Sequence, residues 1–164
     1  MVVRRVAPRR GRRAAPPARR RTADDLIRLA RIGRLATADR NGQPHVVPVC
    51  FAYDDGAVYI PIDEKPKRVA PRRLRRVRNI EVNPQVALVI DHYEENWTRL
   101  RFVLISGTAQ MIAEGREYGR ALVLLRRKYP QYRAMRLENN PVIKISPQRV
   151  VGWAATPPAP GGSA

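Results

Sequence analysis

The sequence is short of nearly everything that could tie it together through bonds or metal. It has one cysteine and two histidines in 164 residues, so no disulfide can close within the chain. A structural zinc site takes about four ligands of these kinds and is not expected. No apolar run approaches the roughly 18 residues that span a bilayer, which excludes a transmembrane helix. The basic N-terminus is not followed by the hydrophobic stretch of a secretory signal, and the pairs Arg4-Arg5 and Arg9-Arg10 lack the apolar segment of a twin-arginine signal. With one thiol and no export signal, the chain is expected in the cytoplasm. Acidic residues are also scarce, 14 against 32 basic, for a net charge of +18.

That charge is unevenly placed. Residues 1–21 carry nine arginines and no acid, and residues 65–78 (KPKRVAPRRLRRVR) carry eight basic residues and no acid, which leaves the rest almost neutral. Arginine outnumbers lysine 28 to 4, a bias that a GC-rich genome produces. Residues 1–21 have no hydrophobic periodicity and repel themselves, and we read them as a disordered arm, either dispensable or a tether for nucleic acid or anionic lipid. Residues 157–164 (PPAPGGSA) read as a disordered tail. The 44% hydrophobic content suffices for one compact domain over residues 22–156.

Within that domain Thr22 is expected to cap a helix with Asp24 and Asp25 in its first turn. Leu26, Ile27, Leu29 and Ala30 form its buried stripe, and Gly33 ends it as a left-handed cap. A short strand (35–38), a hairpin turn at Asp39-Arg40-Asn41-Gly42, a strand over 45–53, a turn at Asp54-Asp55-Gly56 and a strand over 57–62 make an antiparallel meander. Pro71 suits the first turn of a helix over 71–79, with Leu74, Val77 and Ile80 at helical spacing, and Asn83-Pro84 breaks it. Strands follow over 85–91 and 99–112, then a helix over 114–129 buried through Tyr118, Ala121, Leu122, Leu125 and Tyr129. The last strand or pair of strands, 141–153, bends at Pro147. The reading is mainly β: a closed or split barrel of about six antiparallel strands with helices at its edges.

The segment 65–78 carries the most chemistry. Like charges at that density cost stability unless an anion neutralises them. Lys65 and Lys67 precede the helix, near an end whose N–H groups favour an anion. Base stacking on a nucleic acid wants interleaved aromatics, and none lies between Lys65 and Asn79. The phosphate of a small cofactor therefore fits this segment better, with a solvated arginine-rich face as the plain alternative. No catalytic nucleophile, glycine-rich phosphate loop, paired catalytic carboxylates or metal site stands out. Cys50 reads as a small buried hydrophobe. His45 and His92 are open as proton donors or as structural hydrogen-bonding residues, and Trp97 and Trp153 as pocket walls or barrel-end packing.

Three stretches, GRLATADRNGQPHVVPVCFAYDDGAVYIPID, RRVRNIEVNPQVALVIDHYEENWTRLRFVLISGTAQMI and ISPQRVVGW, together resemble the pyridoxamine 5′-phosphate oxidase-like split-barrel superfamily. The resemblance is strongest to the branch that uses the deazaflavin coenzyme F420. It implies a homodimer of six-stranded antiparallel split β-barrels of the FMN-binding type, with two cofactors in grooves at the dimer interface. The second strand's backbone, here Val47, Pro48 and Val49, would run along the tricyclic ring. Ile62, Asp63, Lys65, Lys67, Arg76 and Asn79 would clamp the phosphate, and Trp97 and Trp153 would sit near the groove. Relatives often carry lysine at the position of Arg76 and a hydroxyl residue at Pro61-Ile62. The implied activity is hydride transfer between F420, or alternatively FMN, and a small organic substrate. The cofactor carries the chemistry and no protein base is required; a product proton could come from His45, His92, Tyr93 or solvent. A nucleic-acid-binding barrel and a non-catalytic cofactor carrier are the alternatives from other classes.

Overall fold

Two hairpin turns set the pattern of the sheet. At residues 39–42, Gly42 takes φ +79° and donates its N–H to the Asp39 carbonyl at 3.0 Å. The Asp39 carboxylate accepts from the N–H groups of Asn41 (2.9 Å) and Gln43 (3.0 Å). At the second turn Asp55 and Gly56 both have positive φ, 49° and 78°, the backbone twist that matches a tight hairpin.

The computed structural model describes residues 18–63 and 73–155, with side chains from residue 23 onward. In chain order the elements are α1 (Ala18–Leu29), β1 (Gly33–Ala38), β2 (Pro44–Val49), β3 (Ala52–Asp54), β4 (Ala57–Pro61), α2 (Arg75–Val82) and β5 (Gln85–His92). Then come β6 (Arg101–Ile112), α3 (Gly115–Lys128) and β7 (Val142–Ala154), with 3-10 turns at Trp97–Arg99, Pro130–Ala134 and Leu137–Asn139. No helix among the described residues is long and apolar enough to cross a membrane.

All pairings are antiparallel, in the order β2-β1-β5-β6-β7-β4-β3. The two edge strands, β2 and β3, are consecutive in the chain and only Cys50 and Phe51 separate them. The sheet must therefore curl until its edges meet at that corner, although β2 and β3 do not pair with each other. This is a split barrel: seven strands by continuous runs, six if 44–54 is taken as one bent strand.

The barrel interior holds Leu35, Val49, Phe51, Val58, Ile60, Leu88, Ile90, Val103, Ile105, Ile143 and Ile145, and helices α1 and α2 contribute Leu26, Ile27 and Ile80 to it. A second apolar cluster lies outside the sheet, where α3 covers Ala52, Ala57, Tyr59 and Val142 with Tyr118, Ala121, Leu122 and Leu125. The remaining outward surface crosses β2, β1, β5, β6 and the far half of β7. Its rows are Val46–Ala36–Ala87–Ser106 and Pro48–Arg34–Val89–Leu104–Val151, continuing to Phe102–Trp153. Val46 is 60% exposed and Trp153 48%.

Several boundaries differ from those expected. Thr22 lies inside α1 rather than at its head. The buried stripe of that helix is Ala23, Leu26, Ile27 and Ala30, spaced i, i+3, i+4, i+7, which turns Leu29 to solvent at 74% exposure. Gly33 does not cap the helix; it opens β1, where a Cβ would come within 2.8 Å of Leu88 Cδ1. The strand expected over 45–53 is broken at Cys50–Phe51, because its two halves pair with opposite edges of the sheet. The helix expected over 71–79 runs instead over Arg75–Val82 and closes with Asn83 N–H donating to the Asn79 carbonyl at 2.7 Å. Residues 141–153 form one strand, and the bend expected at Pro147 is a register step: Gly107 pairs with Pro147 but Ser106 with Arg149. The arm (1–17 of it), Lys65, Lys67, Pro71 and the tail over 157–164 lie outside the described residues.

Candidate functional site

The end of the barrel at the head of α2 gathers polar groups that the core cannot use. Leu74 precedes the helix in extended conformation and offers no side-chain cap, and the first turn carries Arg75 and Arg76 with no acid. One turn on, Asn79 is buried and its Nδ2 donates to Thr37 Oγ1 at 3.0 Å. Thr37 pairs across the hairpin with His45, and its hydroxyl donates to the His45 carbonyl at 3.4 Å. This relay fixes α2 over the start of β2. Alternation along β2 puts His45, Val47 and Val49 on the inward face and Pro48 on the outward one.

The corner is electropositive and short of partners. Burial, then the charges of Arg75 and Arg76, hold the His45 imidazole below the usual histidine range. Burial also lowers Arg76, and the Asp63 carboxylate partly restores it. Both His45 Nδ1 and Arg76 Nε are shut from solvent and find no hydrogen-bond partner among the described residues. Asp63 is buried and accepts from the Tyr132 hydroxyl at 3.1 Å. Burial raises that hydroxyl far above its ordinary range, with contributions from Cys50 and Asp63.

The residues singled out in the sequence divide into three groups. Val47, Pro48, Val49, Ile62, Asp63, Arg76 and Asn79 belong to β2 or to the segments at this end. Ile62 and Val49 are buried side chains, so a ligand could reach them only through their backbone. Trp153 lies on β7 and Trp97 in the turn between β5 and β6. β7 lies four strands from β2, roughly 19 Å along the sheet. There Trp153 stacks on Phe102 with centroids 5.7 Å apart, and Trp97 is 68% exposed in its turn. Within one chain the sheet order therefore separates Trp153 from β2. Lys65 and Lys67 fall outside the described residues. Sequence reasoning missed Arg75, Thr37 and Tyr132 as parts of this corner. The hairpin register at Asn41-Gly42, which sets Thr37 opposite His45, was the available signal for Thr37.

Among the described residues β2 pairs only with β1, so no described strand covers its other backbone edge beside the cationic corner. An edge strand presents unpaired N–H and C=O groups, and here a planar polar ring could dock along it with an anionic tail toward Arg75 and Arg76. Two other clusters are internally satisfied. In a cleft of about 520 Å³, Glu117 accepts from Tyr59 Oη (2.9 Å) and Lys144 Nζ (2.7 Å), and Arg120 pairs with Asp54. In a smaller one of about 210 Å³, Glu94 Oε1 bridges His92 Nε2 (3.0 Å) and Arg99 Nε (3.1 Å). No group of three or more His, Cys, Asp or Glu able to hold a metal occurs among the described residues.

Comparison with known proteins agrees with this architecture. Residues 20–154 match the family model described as pyridoxamine 5′-phosphate oxidase. The 5a,11a-dehydrotetracycline/5a,11a-dehydrooxytetracycline reductase of Streptomyces rimosus is 32% identical over 128 residues, which cover 77% of each chain. Two solved structures share the fold. The heme storage protein of Vibrio cholerae superposes with TM-score 0.62 at 16% identity, covering 80% of this chain and 90% of its own. A FAD-binding protein of Mesorhizobium loti gives 0.60 at 21% identity, covering 80% and 91%. The split barrel, the extent of the sequence match and the shared length with a reductase lead to one assignment: the chain belongs to the pyridoxamine 5′-phosphate oxidase family.

Proposed function

We propose that this protein is an oxidoreductase that holds a phosphorylated flavin-type cofactor, the deazaflavin F420 in preference to FMN, and passes hydride between it and a small organic substrate. The observation that carries the reading is the edge of β2, covered by no described strand, ending at a corner where Arg76 Nε and His45 Nδ1 are buried without partners among the described residues. The reductase relative at 32% identity supports the redox class. The density of cations in residues 65–78 suits the longer anionic tail of the deazaflavin.

The residues fit such a group. The backbone of Val47, Pro48 and Val49 would hold the ring. Arg76 and Asn79, the backbone at Ile62 and Asp63, and Lys65 and Lys67 would hold the phosphate, through charge-assisted hydrogen bonds. When bound, the cofactor supplies the hydride chemistry. The chain's part is to orient the ring and keep water from it. The apolar outward face of the sheet supports a dimer: a second copy on this face would bury Val46, Leu104, Val151 and Phe102, and Trp97 and Trp153 would come from across the interface. Exposed apolar surface of this kind marks interaction sites.

Titration with each cofactor tests the reading. Binding should quench deazaflavin fluorescence at lower concentration than it perturbs FMN, and Arg76→Gln should weaken binding by roughly 10- to 100-fold, the size of a lost charged hydrogen bond. Failure to bind either cofactor would overturn the proposal. A carrier without enzymatic activity would bind but show no turnover with any hydride acceptor.

A further inference from the structure

His45 and Arg76 share an unusual condition: each buries a side-chain nitrogen that has no partner among the described residues. The contacts from Asn79 to Thr37 and from Thr37 to the His45 carbonyl hold the two residues at one end of the barrel. Among the described residues the charged groups that bear on the imidazole are Arg75 and Arg76, both from α2, and both oppose its protonation. The residue opposite it on β1, Thr37, carries no charge. Asp63 acts on Arg76. An anion in contact with His45 and Arg76 would give partners to the two nitrogens that have none among the described residues and would oppose the positive field of α2.

Resting on the cofactor reading above, we infer that His45 is itself a ligand of the cofactor's phosphate, binding it as an imidazolium, and that it takes one proton from solvent when the cofactor binds and returns it on release. No covalent bond changes in this step. His45 is then a specificity residue for the anionic end of the cofactor and not a proton donor to substrate. Cofactor affinity becomes linked to pH through a side chain that does not touch the reacting ring.

The chain has only two histidines, so NMR of the full-length protein with labelled histidine gives two signals, and His45→Gln assigns them. Each is followed over about pH 5 to pH 8, where histidine titrates, first alone and then saturated with F420 or with FMN. The expected result is a His45 midpoint below the ordinary value in the free protein and higher in the complex by about one pH unit or more. A midpoint raised by one pH unit on binding corresponds to about tenfold tighter binding at low pH. A phosphate monoester takes up its own proton near pH 6, so the decisive comparison is with His45→Gln, which should lose the protein's share of the pH dependence. A His45 midpoint unmoved by a cofactor that does bind, or an unchanged pH dependence in His45→Gln, overturns this inference and leaves the cofactor assignment standing. Absence of binding by either cofactor at every pH overturns both.

Discussion

The Tyr129 hydroxyl closes the barrel at Phe51. It accepts the Phe51 N–H at 3.0 Å and lies 2.9 Å from the Phe51 carbonyl and 2.6 Å from that of Arg31, between which its one proton is shared. Phe51 sits between β2 and β3, where the backbone has left one edge of the sheet and not yet joined the other. Its polar groups have no ladder partner, and a side chain from the end of α3 supplies one. Burial pushes this hydroxyl up to about 12, so it is present as the neutral donor at physiological pH.

Removing that single oxygen isolates the test. Tyr129→Phe keeps the ring and leaves a buried N–H unpaired, which costs about 1–3 kcal/mol. Urea unfolding monitored by circular dichroism should show a loss of that size. A variant as stable as the parent would mean that the corner is satisfied by other means.

Beside the same corner, the Lys128 ammonium lies 4.0 Å from the centroid of the Phe51 ring, buried and without a hydrogen-bond partner among the described residues. Burial first, then the Arg31 charge, lowers its pKa to about 8 from 10.5. The attraction of the ring, about 0.5–2 kcal/mol, offsets part of that penalty. Below pH 8 the folded and unfolded chains both carry the charge, and the full penalty is present. Between about 8 and 10.5 the unfolded chain binds more protons, so stability from this group rises with pH. Lys128→Met is therefore expected to raise Tm at neutral pH, with the gain over the parent shrinking as pH approaches 10. Above that, Tyr59 and Tyr129, both pushed up to about 12, act oppositely: they ionise first in the unfolded chain, and stability falls. A gain independent of pH between 7 and 10 would contradict the assignment.

Two glycines of opposite kind predict opposite outcomes. A Cβ on Gly107 would stand 2.2 Å from the Ser146 carbonyl oxygen, at the register step of β6 and β7. Gly107→Ala must displace backbone there and should destabilise by several kcal/mol, at or above the about 1–3 of ordinary overpacking. Gly119 lies inside α3 with nothing within 4 Å of such an atom. Gly119→Ala should stabilise by about 0.5–1 kcal/mol. Thermal melts of the two variants read both.

The outward sheet face can be tested without touching the core. Val46 is largely exposed in one chain, so Val46→Glu should leave folding intact. If a second copy covers this face, the variant sediments as a monomer and loses cofactor affinity with it. An unchanged sedimentation coefficient would remove the interface from this surface.

Much of the fold was legible because it is written in local chemistry. Asn41-Gly42 and Asp55-Gly56 fix two hairpins, and the spacing of Tyr118, Leu122 and Leu125 fixes the buried side of α3. What was not legible depends on partners distant in sequence. Nothing in VPVCFAYD marks Cys50–Phe51 as the point where the strand changes edges; that follows only from β1 pairing on one side and β4 on the other. Gly33 looks like a helix terminator until Leu88 is seen against it. At the candidate site, the charge of residues 65–78 drew attention to the end of the barrel where α2 begins. The nitrogens of His45 and Arg76 that lack partners among the described residues emerge only when α2 and β2 are brought together, since the residues are far apart along the chain.

Because one uninterrupted stretch, 44–54, supplies both borders of the sheet, the molecule's roundness is tied to chain connectivity at Cys50–Phe51 as well as to its apolar interior. A circular permutant with its new ends in the turn at residues 39–42 would keep that link. One opened between Cys50 and Phe51 would break it and leave the apolar interior and the Tyr129 contacts to hold the two margins together.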